Sequence, residues 1–232
     1  MERTMKRSLV VLLAATGCLC LSGSVVGQMG MNMFSKPNIA DIFKPVVGSG
    51  AAYEMQPADQ KRAPSLMEMT IVGKELTPSG EGYWMEVGHT TSKDGGPLMY
   101  SKMLVTKDFQ FTKIVFQQPG QPAMEMPFNP NDMGKNHMKE EMAKWHQVGS
   151  EAITVPAGTF SCMHWKKDDG TEEVWTSDKV TPMAMVKEIG KNDTMVLTKI
   201  ITGATDHITG PVTKFDPQAF AQQMQQQRQK PQ

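Results

Sequence analysis

Cys162 and His164 stand two residues apart in a run, Thr159 to Lys166, whose residue types read as a strand, so both side chains fall on one face. A thiolate beside an imidazole can serve as a nucleophile or as half of a soft metal site. Cys162 is also the one cysteine left if the chain is cleaved after residue 27, which leaves no intramolecular disulfide to support the fold. The plainer reading is a small buried residue, Cys162, next to a half-exposed ring, because two ligands do not make a site and no further CxxC or HxxxH lies nearby.

Methionine raises a second chemistry. All but Met1 and Met5 of the 21 methionines follow the N-terminal segment, where leucine is confined to Leu66, Leu76, Leu98, Leu104 and Leu197. Thioethers are soft donors suited to Cu(I), so Met29, Met31 and Met33, with His137, Met138, Met142 and His146, form a candidate copper set. The pairs Met67 and Met69, Met124 and Met126, and Met183 and Met185 have a simpler use. On a strand each pair points to one face, where flexible Met replaces Leu as core filling. The same residues, with Phe and Trp, would also line an adaptable apolar cavity for a hydrophobic or lipid-like ligand.

Enzyme signatures are missing: the sequence has no GxSxG, no HExxH, no phosphate loop and no dinucleotide fingerprint. Glu86, Glu125 and Glu173 are scattered carboxylates whose pairing would have to come from the fold. Basic and acidic residues balance at 24 each, so the footprint of a nucleic-acid binder is lacking. The expectation is therefore a non-enzymatic binding protein for a hydrophobic ligand or an envelope partner, with no cofactor. Copper handling and an enzyme built on Cys162 and His164 are the alternatives.

The elements that must position these residues begin after an export signal. Arg3, Lys6 and Arg7 precede an apolar run from Leu9 to Leu21, and small residues lead to a cleavage point before Gln28. That run is short for a membrane span, so the mature chain is expected without a transmembrane segment, periplasmic or secreted. A lipid anchor on Cys18 is the alternative. Residues 28–36 read as a flexible leader, 37–215 as one β-rich domain and 216–232 as a Gln-rich tail.

Within the domain, strands are expected over 66–72, 83–87, 98–106, 109–117, 152–155, 159–166, 172–177, 183–188 and 195–202, with turns at Pro78-Ser79-Gly80, Asp94-Gly95-Gly96 and Asp168-Asp169-Gly170. Prolines 119, 122, 127 and 130 break the rhythm. A helix over 131–146 follows, capped by Asn131 or Asp132, with Met138, Met142 and Trp145 on one face. The fold class is mainly β (α+β): a strongly curved antiparallel sheet or half-barrel packed on one main helix.

The segment Val155-Pro156-Ala157-Gly158-Thr159-Phe160, with Val174-Trp175-Thr176-Ser177 and Val186-Lys187, resembles a group of uncharacterised secreted bacterial β-proteins of the DUF3108 type, similar to the lipoprotein-carrier half-barrel fold. The likeness covers roughly residues 148 to 202. It implies architecture and carries no binding residue.

Overall fold

The computed structural model describes residues 42–59, 62–90, 99–117, 120–127 and 143–216. Among the described residues twelve strands form one sheet: β1 (Ser49–Pro57), β2 (Ser65–Thr77), β3 (Gly80–Thr90), β4 (Met99–Thr106), β5 (Phe111–Gln117), β6 (Ala123–Met126), β7 (Trp145–Val155), β8 (Gly158–Lys167), β9 (Glu173–Thr176), β10 (Met185–Ile189), β11 (Asp193–Thr202) and β12 (Val212–Lys214). Their order across the sheet is β12, β6, β5, β4, β3, β2, β1, β11, β10, β9, β8, β7. Two meanders result: β1 to β6 steps outward from the centre, and β7 to β11 steps back in until β11 pairs with β1. Every pairing is antiparallel except that of β12 with β6.

Turn chemistry explains the tight corners. Pro78 and Ser79 close β2 onto β3, and the Thr77 hydroxyl donates to the Gly80 carbonyl at 2.8 Å. Pro156 and Ala157 close β7 onto β8, with Val155 opposite Gly158. Gly158 takes a φ of 133°, a conformation that favours glycine. The Ala157 N–H then donates to the Leu197 carbonyl on β11 at 3.4 Å, which ties the tip of this hairpin to the middle of the sheet.

Strand parity decides what is buried. Ala51 and Tyr53 on β1, Met67, Met69 and Ile71 on β2, Tyr83 and Met85 on β3, and Met103 and Val105 on β4 all enter the main core. Met183, Met185, Met195 and Leu197 fill the other half of that core. Burying each such side chain is worth about 1.5–3 kcal/mol, so methionine does the stabilising work usually done by leucine. Met99 and Met163 are the exposed methionines among the described residues. Ile42 and Phe43 also belong to this core, and Phe43 packs edge-on against Phe109 at 5.1 Å.

The helix is where expectation and fold part. Among the described residues no main helix packs on the sheet. Positions 131–142 lie outside those residues, and Trp145 and His146, placed on the helix by spacing, open β7 instead. Trp145 pairs with Lys167 and His146 with Lys166 across β8. Ladder hydrogen bonds and a fully buried indole outweigh the four-and-three spacing that had linked Trp145 to Met142. The signal, leader and most of the tail also lie outside the described residues, as does the Asp94-Gly95-Gly96 turn. No helix among the described residues is long and apolar enough to cross a membrane.

Candidate functional site

The inner face of the β1 to β6 meander carries its side chains in cross-strand rows. One row runs Ala51, Met69, Val87, Ser101, Phe116, Met124. The next runs Ile71, Met85, Met103, Ile114, Met126. Alternation on pleated strands puts each set on one side of the sheet. Toward the sheet centre these residues are buried, but Val87, Ile114, Phe116, Met124 and Met126 are half-buried. The Met-lined core thus continues, apolar except for Ser101, into a surface that water partly reaches.

A third row, Tyr53, Met67, His89, Met99, borders the other two. His89 Nδ1 is buried and has no hydrogen-bond partner. Burial holds this imidazole below the usual histidine value, while a bond to the Leu66 backbone works in the opposite direction. The ring is therefore a neutral base set into a mostly apolar face.

Part of the outer face of the same meander, around Glu86 and Lys102, is covered by the chain that follows β11. His207 and Ile208 donate backbone N–H groups to Glu86 Oε2 at 3.0 and 3.3 Å, and His207 Nδ1 lies 2.7 Å from Glu86 Oε1. Lys102, directly across from Glu86 in the β3–β4 register, bonds Asp206 and donates to the Ile208 carbonyl at 3.0 Å. Ile208 then packs with Val115 and Ala123 against Trp84 and Tyr100. Burial pushes the Glu86 carboxyl above the usual carboxylate range, and its side-chain and backbone bonds to His207 pull the other way. His207 stacks on Tyr100 at 4.2 Å. This constellation fastens the strap of residues 203–210 over the sheet.

Cys162 and His164 do lie on one strand, β8, but they are not joined. Cys162 is buried, and its thiol donates to the Phe160 carbonyl at 3.5 Å. Burial, reinforced by the charge of Glu151, pushes the thiol up to about 11. Both ring nitrogens of His164 face carboxylates: Nε2 is 2.9 Å from Glu173 and Nδ1 is 3.2 Å from Glu151. The ring stacks on Trp175 at 4.3 Å, and the Trp175 indole N–H donates to Glu151 at 2.7 Å. A thiol held this high, beside an imidazole committed elsewhere, lacks the features of an activated nucleophile.

Of the copper set, Met29, Met31, Met33, His137, Met138 and Met142 lie outside the described residues. His146 is exposed on β7 and pairs with Asp168 at 2.7 Å. Among the described residues no group of three or more His, Cys, Asp or Glu side chains is placed to hold a metal ion. The three scattered carboxylates divide: Glu86 and Glu173 each meet a histidine, whereas Glu125 sits on β6 opposite Val115. The Glu86–His207 pair is 121 residues apart in the chain, and no spacing rule could have found it. The partly open inner rows were more legible, since Tyr83, Met85, Val87 and His89 alternate visibly along β3.

No family model and no curated protein matches this chain, so the DUF3108-type family is not shown for it. Two solved structures are similar in part. One is a protein from Bacteroides fragilis described as exported and as having a YmcC-like fold, at 10% identity and a TM-score of 0.35, covering 68% of this chain and 98% of its own. The other, from Parabacteroides distasonis, is described as a lipoprotein, at 15% identity with the same TM-score and coverage. A TM-score this low carries no argument about the present chain.

Proposed function

We propose that this protein is an exported, non-enzymatic binding protein for a hydrophobic, lipid-like ligand, which docks on the inner face between β3 and β6. One observation carries the reading: the buried rows of Met69, Met85 and Met103 run on into half-buried Val87, Ile114, Phe116, Met124 and Met126, with Ser101 the one polar residue among them. Methionine and phenylalanine suit a ligand of variable shape, because the unbranched thioether adapts and the ring supplies area. Export rests on the charged and apolar pattern of the first 27 residues. The chemistry of Cys162 and His164 supports the non-enzymatic half of the reading.

The test uses N-phenyl-1-naphthylamine, a neutral probe that fluoresces in apolar surroundings. Saturable uptake is expected, and Phe116→Glu should weaken it at least tenfold by setting a charge in the binding row. A protein that takes up no probe, or a variant that takes it up unchanged, would overturn the proposal.

A further inference from the structure

Four buried side-chain atoms among the described residues lack a hydrogen-bond partner, His89 Nδ1, Trp145 Nε1, Glu172 Oε2 and Ser177 Oγ, and the first lies on the inner face of the β1 to β6 meander. His89 lies in register with Met67 on β2 and Met99 on β4, and shares the parity of Val87 and Met85, so its ring belongs to the same face as the proposed docking rows. Its Nδ1 is buried without a partner. The Leu66 backbone acts on the ring as a proton acceptor does, favouring its charged form; with Nδ1 empty, that assigns the ring proton to Nε2 and leaves Nδ1 a lone pair. A buried acceptor left empty costs about 1–3 kcal/mol. Native folds rarely leave such a group without a reason.

We infer that His89 Nδ1 is the polar anchor of the ligand site, and that it selects neutral amphiphiles carrying a hydrogen-bond donor, such as a long-chain alcohol. The inference rests on the docking face proposed above. An ionised carboxylate brings only lone pairs and would face another lone pair in a site of low polarity. A hydroxyl or amide N–H completes the histidine's bonding while its chain lies along Val87, Ile114 and Phe116. Ser101, half-buried on β4 opposite Val87, adds a hydroxyl in the row next to that of His89.

Competition against bound N-phenyl-1-naphthylamine tests this with three compounds of one chain length: 1-dodecanol, 1-methoxydodecane and dodecanoate. Dodecanol is expected to displace the probe about tenfold more tightly than its methyl ether, which differs in lacking the donor, and dodecanoate is expected to be the weakest. His89→Phe should erase the difference between alcohol and ether, each read against the variant's own probe affinity, and His89→Gln, which keeps an acceptor, should retain part of it. Circular dichroism checks that both variants fold. If either misfolds, the ring nitrogen signals of ¹⁵N-histidine wild-type protein decide, since dodecanol should shift Nδ1 of His89 and the ether should not. Equal displacement by alcohol and ether, or an unmoved Nδ1, would overturn the anchor and leave the docking face standing. Absence of probe uptake would remove both.

Discussion

Two regions of the sheet, one toward each end, use the same residue types for opposite purposes. Around β9, β10 and β11 the core is shut: Met183, Met185, Met195, Val174 and Leu197 are at most 3% exposed. Around β4, β5 and β6, methionine and phenylalanine on the inner face are left half-buried. Shared composition therefore does not divide packing from binding; position in the register does. The closed end is long-range and cross-braced, with the Tyr53 hydroxyl donating to the Met185 carbonyl at 3.2 Å and the β7–β8 turn bonded to β11. The open end is finished by β6 and by β12, a strand of three exposed residues.

If the closed end truly excludes water, its buried carboxylate should report it most strongly. Glu188 on β10 faces Met195 and Val174 in the register, and burial, with help from Asp193 and Glu172, raises its carboxyl to about 8. The unfolded chain loses this proton near 4.5 while the folded chain keeps it. Fewer protons on the unfolded state mean that stability falls as pH rises through that window, at up to about 1.4 kcal/mol per unit. Glu188→Gln should flatten the pH dependence and exceed wild-type stability by up to about 4 kcal/mol at pH 8 in urea melts. A wild-type profile that does not decline between pH 5 and 8 contradicts it.

Truncation at the same end comes next. Met185→Ala should cost about 3 kcal/mol, because no neighbour is free to collapse into the space. Cys162→Ser should cost about 1–3 kcal/mol, as a hydroxyl replaces a packed thiol. In the wild type, alkylation of Cys162 should be no faster than that of a free model thiol. The smallest effect belongs to the open end: Phe116→Ala should cost less than about 1.5 kcal/mol, since its ring is only half-buried. Similar losses for Met185→Ala and Phe116→Ala would erase the distinction between the two ends.

Much of this architecture was legible in the chain. The hairpin read from Asp168-Asp169-Gly170 stands as β8 and β9, and the Val-Pro-Ala-Gly turn stands between β7 and β8. Local signals suffice there, because turn residues and alternation act within a few positions. They fail where the partner is distant. Trp145 carries helical spacing and is a strand residue because Lys167 lies opposite it. β12 has three residues and exists only because β6 offers an edge. Cys162 and His164 were rightly placed on one strand, yet the carboxylates that occupy the imidazole come from β7 and β9. His89 was passed over because nothing local marks a nitrogen that will be left without a bond.

The account's central claim is that the half-buried inner row at β5 and β6 is where ligand sits. Methyl NMR of ¹³C-methionine-labelled protein, titrated with N-phenyl-1-naphthylamine, addresses it directly. The account predicts saturable shifts at Met124 and Met126, with Met183, Met185 and Met195 unmoved. Shifts confined to the closed end, or none at Met124 and Met126 while probe binds, would contradict it.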